Sequence, residues 1–487
     1  MRLTSTPAAR RASFALITLL VALGGVGCGD EGGGDAGSDA GLIGSNTTAA
    51  DAGDTSSMGG DASTTGDTSG DTTGGGGGFV FEGEQVACAE NTQYEAQRAI
   101  LAGGKNNPTG RGEQGGVFDP CNNRVILFGG NDRQPEECDS FGPKNYVGDT
   151  WAYSLEFENW YRINTATAPS SRGRHAAAFD VSRKQMIIFG GRYREDANSG
   201  LYELYNDLWA FDINTDTWEQ LQPQGEVPPA RTNSAMVYDP TGDRMILFGG
   251  NTSNDGLRFT PLNDTWILDL ETRTWSKLTF GAAPTARLFH AMALDSAHNK
   301  VLVYSGGDEN AFFGPFISDV WALDLTTLAW EQLWEARSSS GDAPAARINA
   351  VLMDDPERSR VVMFGGHDDT SLGNSNDLWA FDSATAQWSV LRPGDVYTGA
   401  GCPSFCQCAE DFVEYDLESP ERRQYHTLVP IPDQSTAILF GGTGDCGYID
   451  DTWHLDLANA TWLEVHAPEQ GVACARTGRE LCEELCF

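Results

Sequence analysis

Three histidines in this chain are spaced as metal ligands could be. His175, His290 and His426 each follow an arginine by three residues. Imidazole nitrogens bind zinc and copper, but three of them form a site only if the fold gathers them around one axis. Their arginines belong to a set of six: Arg111, Arg172, Arg231, Arg287, Arg347 and Arg423. Each is a candidate for ligand contact, or for bonding to strand-end carbonyls and nearby aspartates. Ten cysteines other than Cys28 form an even set: Cys88, Cys121, Cys138, Cys402, Cys406, Cys408, Cys446, Cys474, Cys482 and Cys486. In an oxidising compartment they imply five disulfides of open connectivity. Cys406 and Cys408 have no neighbouring histidine, which argues against zinc. The acidic run Glu410, Asp411, Glu414, Asp416 and Glu418 lacks the ordered spacing of a calcium loop and reads as a solvated loop. No nucleophile elbow, phosphate loop or paired-histidine zinc motif is present, so no catalytic residue and no cofactor is expected.

What must position these residues is a repeat. Eighteen residues after each of the six arginines comes Gly129-Gly130, Gly190-Gly191, Gly249-Gly250, Ser305-Gly306, Gly365-Gly366 or Gly441-Gly442. Only the fourth unit departs, with Ser305. Then come tryptophan pairs nine residues apart: Trp151/Trp160, Trp209/Trp218, Trp266/Trp275, Trp321/Trp330, Trp379/Trp388 and Trp453/Trp462. Twelve of the thirteen tryptophans fit; Trp334 does not. Asp149, Asp207, Asp264, Asp319, Asp377 and Asp451 stand two residues before the first tryptophan of each pair. They read as turn or inter-blade hydrogen-bonding groups.

Each unit reads as four strands. One follows the arginine; a second, unbroken apolar run such as Met245-Ile246-Leu247-Phe248 ends in the glycine pair; the last two carry the tryptophans. Six such sheets arranged around an axis predict an all-β, six-bladed β-propeller of four-stranded antiparallel blades over 111–465. The tryptophans are then inter-blade packing groups. Two spacings hardly vary. The connection after the glycine pair and the one between units vary widely, the latter from 12 to 35 residues. In an up-and-down sheet those two connections share a face, which makes that face the expected binding surface, with the six arginines near its rim.

The Asn-Asp-x-Trp form, as in Asn206-Asp207-Leu208-Trp209, resembles the kelch repeat. The resemblance implies a propeller that binds through its variable-loop face. Arg-x-x-His is common in such repeats, which favours packing over metal binding for the histidines.

The N-terminus reads as an address. Arg2, Arg10 and Arg11 precede an apolar run from Phe14 to Leu23, too short to span a bilayer, then small residues and Cys28. Residues 1–27 resemble a bacterial lipoprotein signal peptide, which implies acylation of Cys28, export and anchoring at the outer membrane. Residues 28–79 are dominated by Gly, Asp, Ser, Thr and Ala, and 29–79 hold nine acids and no Lys or Arg. They are expected to form a disordered tether. A lead-in spans 80–110 and a cysteine-bearing tail 466–487. The net charge of −37 argues against nucleic acid as a partner. The expectation is a monomeric, lipid-anchored envelope module that binds a protein or glycan. A carbohydrate-active enzyme or a structural envelope protein are the alternatives.

Overall fold

The computed structural model describes residues 87–92, 94, 107–132, 145–195, 201–256, 258–311, 314–335, 341–368, 373–397, 413–432, 434–444 and 447–468. The leader, Cys28, the tether, residues 398–412 of the long insert 389–422, residues 469–487 of the tail and every cysteine except Cys88 and Cys121 lie outside them.

Six antiparallel sheets follow one another in chain order. In the first, Gly115–Asp119, Arg124–Phe128, Thr150–Ser154 and Asn159–Ile163 pair as successive neighbours. The pattern recurs five more times, ending with Thr427–Ile431, Thr436–Phe440, Thr452–Asp456 and Thr461–His466. The third blade gains a parallel edge strand, Gln224–Gly225. Each blade's first strand packs beside that of the next, and the last packs beside the first, so the sheets close into a six-membered ring. Among the described residues no helix is long and apolar enough to cross a membrane.

The local chemistry explains the strands. Second strands are continuous apolar runs because a neighbouring blade covers each face; Met186 to Phe189 are wholly buried. In four blades the hairpin between third and fourth strands turns on an aspartate that accepts backbone amides two and three residues on, as Asp212 does from Asn214 and Thr215; blade one uses Ser154 in that place. First strands alternate buried and half-buried positions, as in Gly115–Asp119.

Among the described residues no strand is exchanged between the ends of the chain. The last and first blades meet by side-chain packing, with Val125, Leu127 and Trp160 against Ile438 and Phe440. The Trp160 indole donates to Thr452 at 2.9 Å, and Gln114 donates to the Phe440 carbonyl at 3.3 Å. The weak echo of the motif at 99–104 lies outside the described residues. The described residues 87–92 and 94 of the lead-in cross the hairpin-turn face of blades one and two, while Thr109 bonds Asp132 in the loop after the first glycine pair. Cys88 is bonded to Cys121 in the first hairpin turn, Asn91 donates to the Ile213 carbonyl, and Tyr94 is buried over Arg124.

Candidate functional site

The structure places the six unit arginines inside the blades, 0–2% exposed, not at a ligand surface. In each, Nη1 and Nη2 clasp the aspartate of the same unit, with closest N–O distances of 2.5–2.7 Å. Nη1 also donates to the first residue of the glycine pair, and Nε to the carbonyl two residues upstream. The aspartate accepts the indole N–H of its tryptophan at 2.7–2.8 Å. The aspartates thus bond within a blade, and the arginines' bonding capacity is spent on scaffold. Burial pushes the carboxyls of Asp149, Asp207 and Asp264 up; their arginines and indoles outweigh it and hold them below the usual range.

Blade four shows why its glycine pair tolerates Ser305. The residue keeps φ at +63°, and its hydroxyl accepts the Arg347 amide at 2.9 Å and donates to Ile317 and Arg347 carbonyls. That hydroxyl replaces the loop carbonyl that receives the arginine amide elsewhere, such as Tyr205 for Arg231.

The three histidines do not converge. His175 packs edge-on against Phe128, His290 against Phe248 and His426 against Phe364, each ring lying on the blade before its own. They occupy three separate seams, over the first glycine of the preceding pair. A Cβ on Gly249 would meet His290 at 2.9 Å and one on Gly365 would meet His426 at 2.7 Å. Burial, then the nearby unit arginine, pushes all three down to about 3, so they are neutral wedges. Among the described residues no group of three or more His, Cys, Asp or Glu is placed to hold a metal.

The residues that gather on the axis lie one place before these. Glu113, Arg174, Asn233, Phe289, Asn349 and Tyr425 stand two residues after the unit arginines, with φ between +56° and +67°. The Glu113 amide donates to Tyr425, Arg174 to Glu113, Asn233 to Arg174 and Asn349 to Phe289, at 2.8–3.1 Å. These bonds join four of the six pairs of successive neighbours around the axis, where the variable connections emerge. There, one carboxylate oxygen of Glu113 holds both Arg174 at 2.8 Å and Arg192 at 3.0 Å. The Arg174 guanidinium lies 4.4 Å from the Tyr425 ring and 5.0 Å from Phe289; Arg192 and Arg194 lie 4.2 and 4.5 Å from Tyr202. Tyr146 and Tyr193 extend the aromatic wall. Two guanidiniums, Arg174 and Arg192, thus share the Glu113 carboxylate, while Arg194 lies over Tyr202 and, with Tyr193, is half-exposed at the edge.

A family model for the KLHDC2/KLHL20/DRC7 Kelch-repeats domain matches residues 76–279 and 183–402, over half the chain. The chain belongs to the kelch-repeat family. Kelch domain-containing protein 10 of Xenopus tropicalis is 24% identical over 322 residues, covering 64% of this chain and 69% of that protein. Acyl-CoA-binding domain-containing protein 4 of Arabidopsis thaliana is 26% identical over 297 residues, 58% of this chain but only 38% of its own length. The leucine-zipper-like transcriptional regulator 1 homolog of Drosophila melanogaster is 27% identical over 306 residues, of which the match covers 27% of its length.

Within the kelch units the tryptophans divide by position. The second of each pair is buried between blades in five units and half-buried at Trp462, whereas Trp209, Trp321, Trp379 and Trp453 are half-exposed with their indoles tied to aspartate. In the acidic run, Asp416 is ion-paired with Arg392 at 2.5 Å and Glu418 joins it at 3.2 Å. The axial ring escaped the sequence reading because its six positions hold acidic, basic, amide and aromatic residues that share no chemistry. Their common register after the kelch arginine was the available signal.

Proposed function

We propose that this kelch propeller is a protein-interaction module that grips a carboxylate-bearing segment of its partner on the variable-loop face. The observation that supports it is the Glu113–Arg174–Arg192–Arg194 cluster at the axis. Arg174 and Arg192 are buried and paired with Glu113, and Arg194 is left half-exposed beside them as the cationic group a partner can reach, in a chain whose net charge is −37. Guanidiniums backed by tyrosine faces recognise carboxylates in planar geometry. The chain's net negative charge disfavours unspecific contact with an acidic partner, so an accessible guanidinium at the axis orients approach. The loops that vary in length frame the cluster and set specificity around a fixed charged centre.

The leader, Cys28 and the acidic tether further support an exported, monomeric protein held at the outer membrane by acyl chains and lifted from it by the tether. Labelling with a radioactive fatty acid, retained by the native chain and lost in Cys28→Ser, tests that part.

The binding reading is tested with an array of acidic, neutral and basic peptides probed with the purified chain. Acidic peptides are expected to bind, and Arg194→Glu to abolish binding without lowering the thermal midpoint. Binding confined to basic peptides, or undisturbed by Arg194→Glu, contradicts it.

A further inference from the structure

The thirteenth tryptophan belongs to a second surface. Trp334 stands four residues after Trp330 at the end of the fourth strand of blade four. The corresponding places in the other blades hold Asn164, Gln222, Thr279, Arg392 and His466, all polar. Blade geometry therefore does not require an aromatic ring there. Trp334 packs partly against the core between blades four and five and, with its remaining surface, lines a groove of about 750 Å³ at the outer rim there. Trp379 shares the groove, and both indoles are half-buried. The amides of Gln332 and Gln387 and the carboxylates of Glu335 and Asp342 supply the polar groups of the lining, and all four residues are exposed. The volume falls within the range of about 300–1,000 Å³ common to small-ligand sites.

We propose that this groove binds a neutral or amino-bearing oligosaccharide. A pyranose presents an apolar C–H face and an equatorial belt of hydroxyls. The flat indoles of Trp334 and Trp379 supply large apolar area at small entropic cost for the first. The amides, which both donate and accept, and the carboxylates, which accept, satisfy the second. The two carboxylates disfavour uronic-acid and sulfated polymers by like-charge repulsion and favour an ammonium-bearing sugar. An acidic peptide is disfavoured here for the same reason, so the groove and the axial cluster select different ligands. Their positions on the rim and at the axis leave both free to be occupied together.

The test uses the purified chain and hexamers of β-1,4-linked glucose, α-1,4-linked glucose, β-1,4-linked N-acetylglucosamine and β-1,4-linked glucosamine, with a uronate hexamer as control, followed by calorimetry. At least one of the first four is expected to bind. Trp334→Ala should weaken it about tenfold or more, while Trp334→Phe, which keeps a stacking face, should retain most of the affinity. Both variants should keep acidic-peptide binding; Trp334→Phe should keep the native thermal midpoint, and Trp334→Ala, which also loses packing against the core, should lower it while remaining folded at the temperature of the titration. Absence of binding to all four at millimolar sugar, binding of the uronate alone, or affinity undiminished in Trp334→Ala would each overturn the proposal.

Discussion

Gly442 in the last blade donates its amide hydrogen to the carbonyl of Arg111 in the first, at 2.8 Å. The same bond links the second glycine of every pair to the arginine of the following blade, at 2.8–3.1 Å throughout. Each arginine therefore works in two directions. Its carbonyl receives the preceding blade, and its guanidinium clasps the aspartate and glycine carbonyl of its own. The ring closes by the rule that joins every other pair of blades.

That rule makes the closing glycine sensitive. Gly442 has φ at +107°, and an added Cβ would lie 2.8 Å from the Gln424 carbonyl. Gly442→Ala is expected to cost about 1–3 kcal/mol or more, from strain and clash together. The readout is the midpoint of urea unfolding followed by tryptophan fluorescence. Loss of less than about 0.5 kcal/mol would show that the seam yields easily.

Removing a carboxylate from a clasp leaves a buried cation. Asp207→Ala strands Arg172, which is fully buried, and should cost about 3–5 kcal/mol. Asp207→Asn, which still accepts the Trp209 indole, should cost less. A thermal melt of each variant beside the native chain measures this. Equal midpoints for native and Asp207→Ala would mean that the clasp contributes little.

The indole N–H of the second tryptophan meets a threonine of the preceding blade at three seams: Trp160 with Thr452, Trp218 with Thr150 and Trp330 with Thr265. At the other three the aligned residue is Leu208, Val320 or Leu378, and the indoles of Trp275, Trp388 and Trp462 lack a partner. Thr150→Val should therefore destabilise by about 1–3 kcal/mol, by orphaning a buried donor. Val320→Thr should stabilise by up to about 1 kcal/mol, by giving Trp388 an acceptor. Both are read from chemical unfolding, and opposite signs are required.

The three wedge histidines give stability a pH dependence. Their folded values near 3 lie below the ordinary 6.5, so protons bind the unfolded chain more tightly. Their contribution is complete above about pH 6.5 and is lost as pH falls toward 3. Replacing all three with glutamine, which blade one already carries as Gln114 in this register, should flatten the fall in melting temperature across that window. An unchanged slope would place the acid sensitivity elsewhere.

Blade number, strand order and the shared exit of the variable connections were readable from spacing, because propeller geometry repeats what the sequence repeats. The arginines were harder. A rim position suits a ligand contact or a clasp equally well on spacing alone, and only the bond to the unit aspartate separates them. The histidines looked like a ring because alternate blades carry them, yet side-chain direction turns each into its own seam. The axial cluster stayed hidden because Glu113, Arg174 and Tyr425 are unlike in type. What unites them is a left-handed backbone, which leaves no mark in residue chemistry outside glycine and asparagine. The Cys88–Cys121 pairing depends on the lead-in crossing the turn face, which no repeat encodes.

The central claim is that ligand meets this propeller at the axis, on the face where its long connections emerge. Hydrogen–deuterium exchange of the purified chain, with and without its tightest-binding acidic peptide, tests that most directly. Protection is predicted at 192–194, 202–205 and 423–425, with the hairpin turns at 120–123 and 214–216 unchanged. Protection of those turns, with the axial segments exchanging as before, would contradict it.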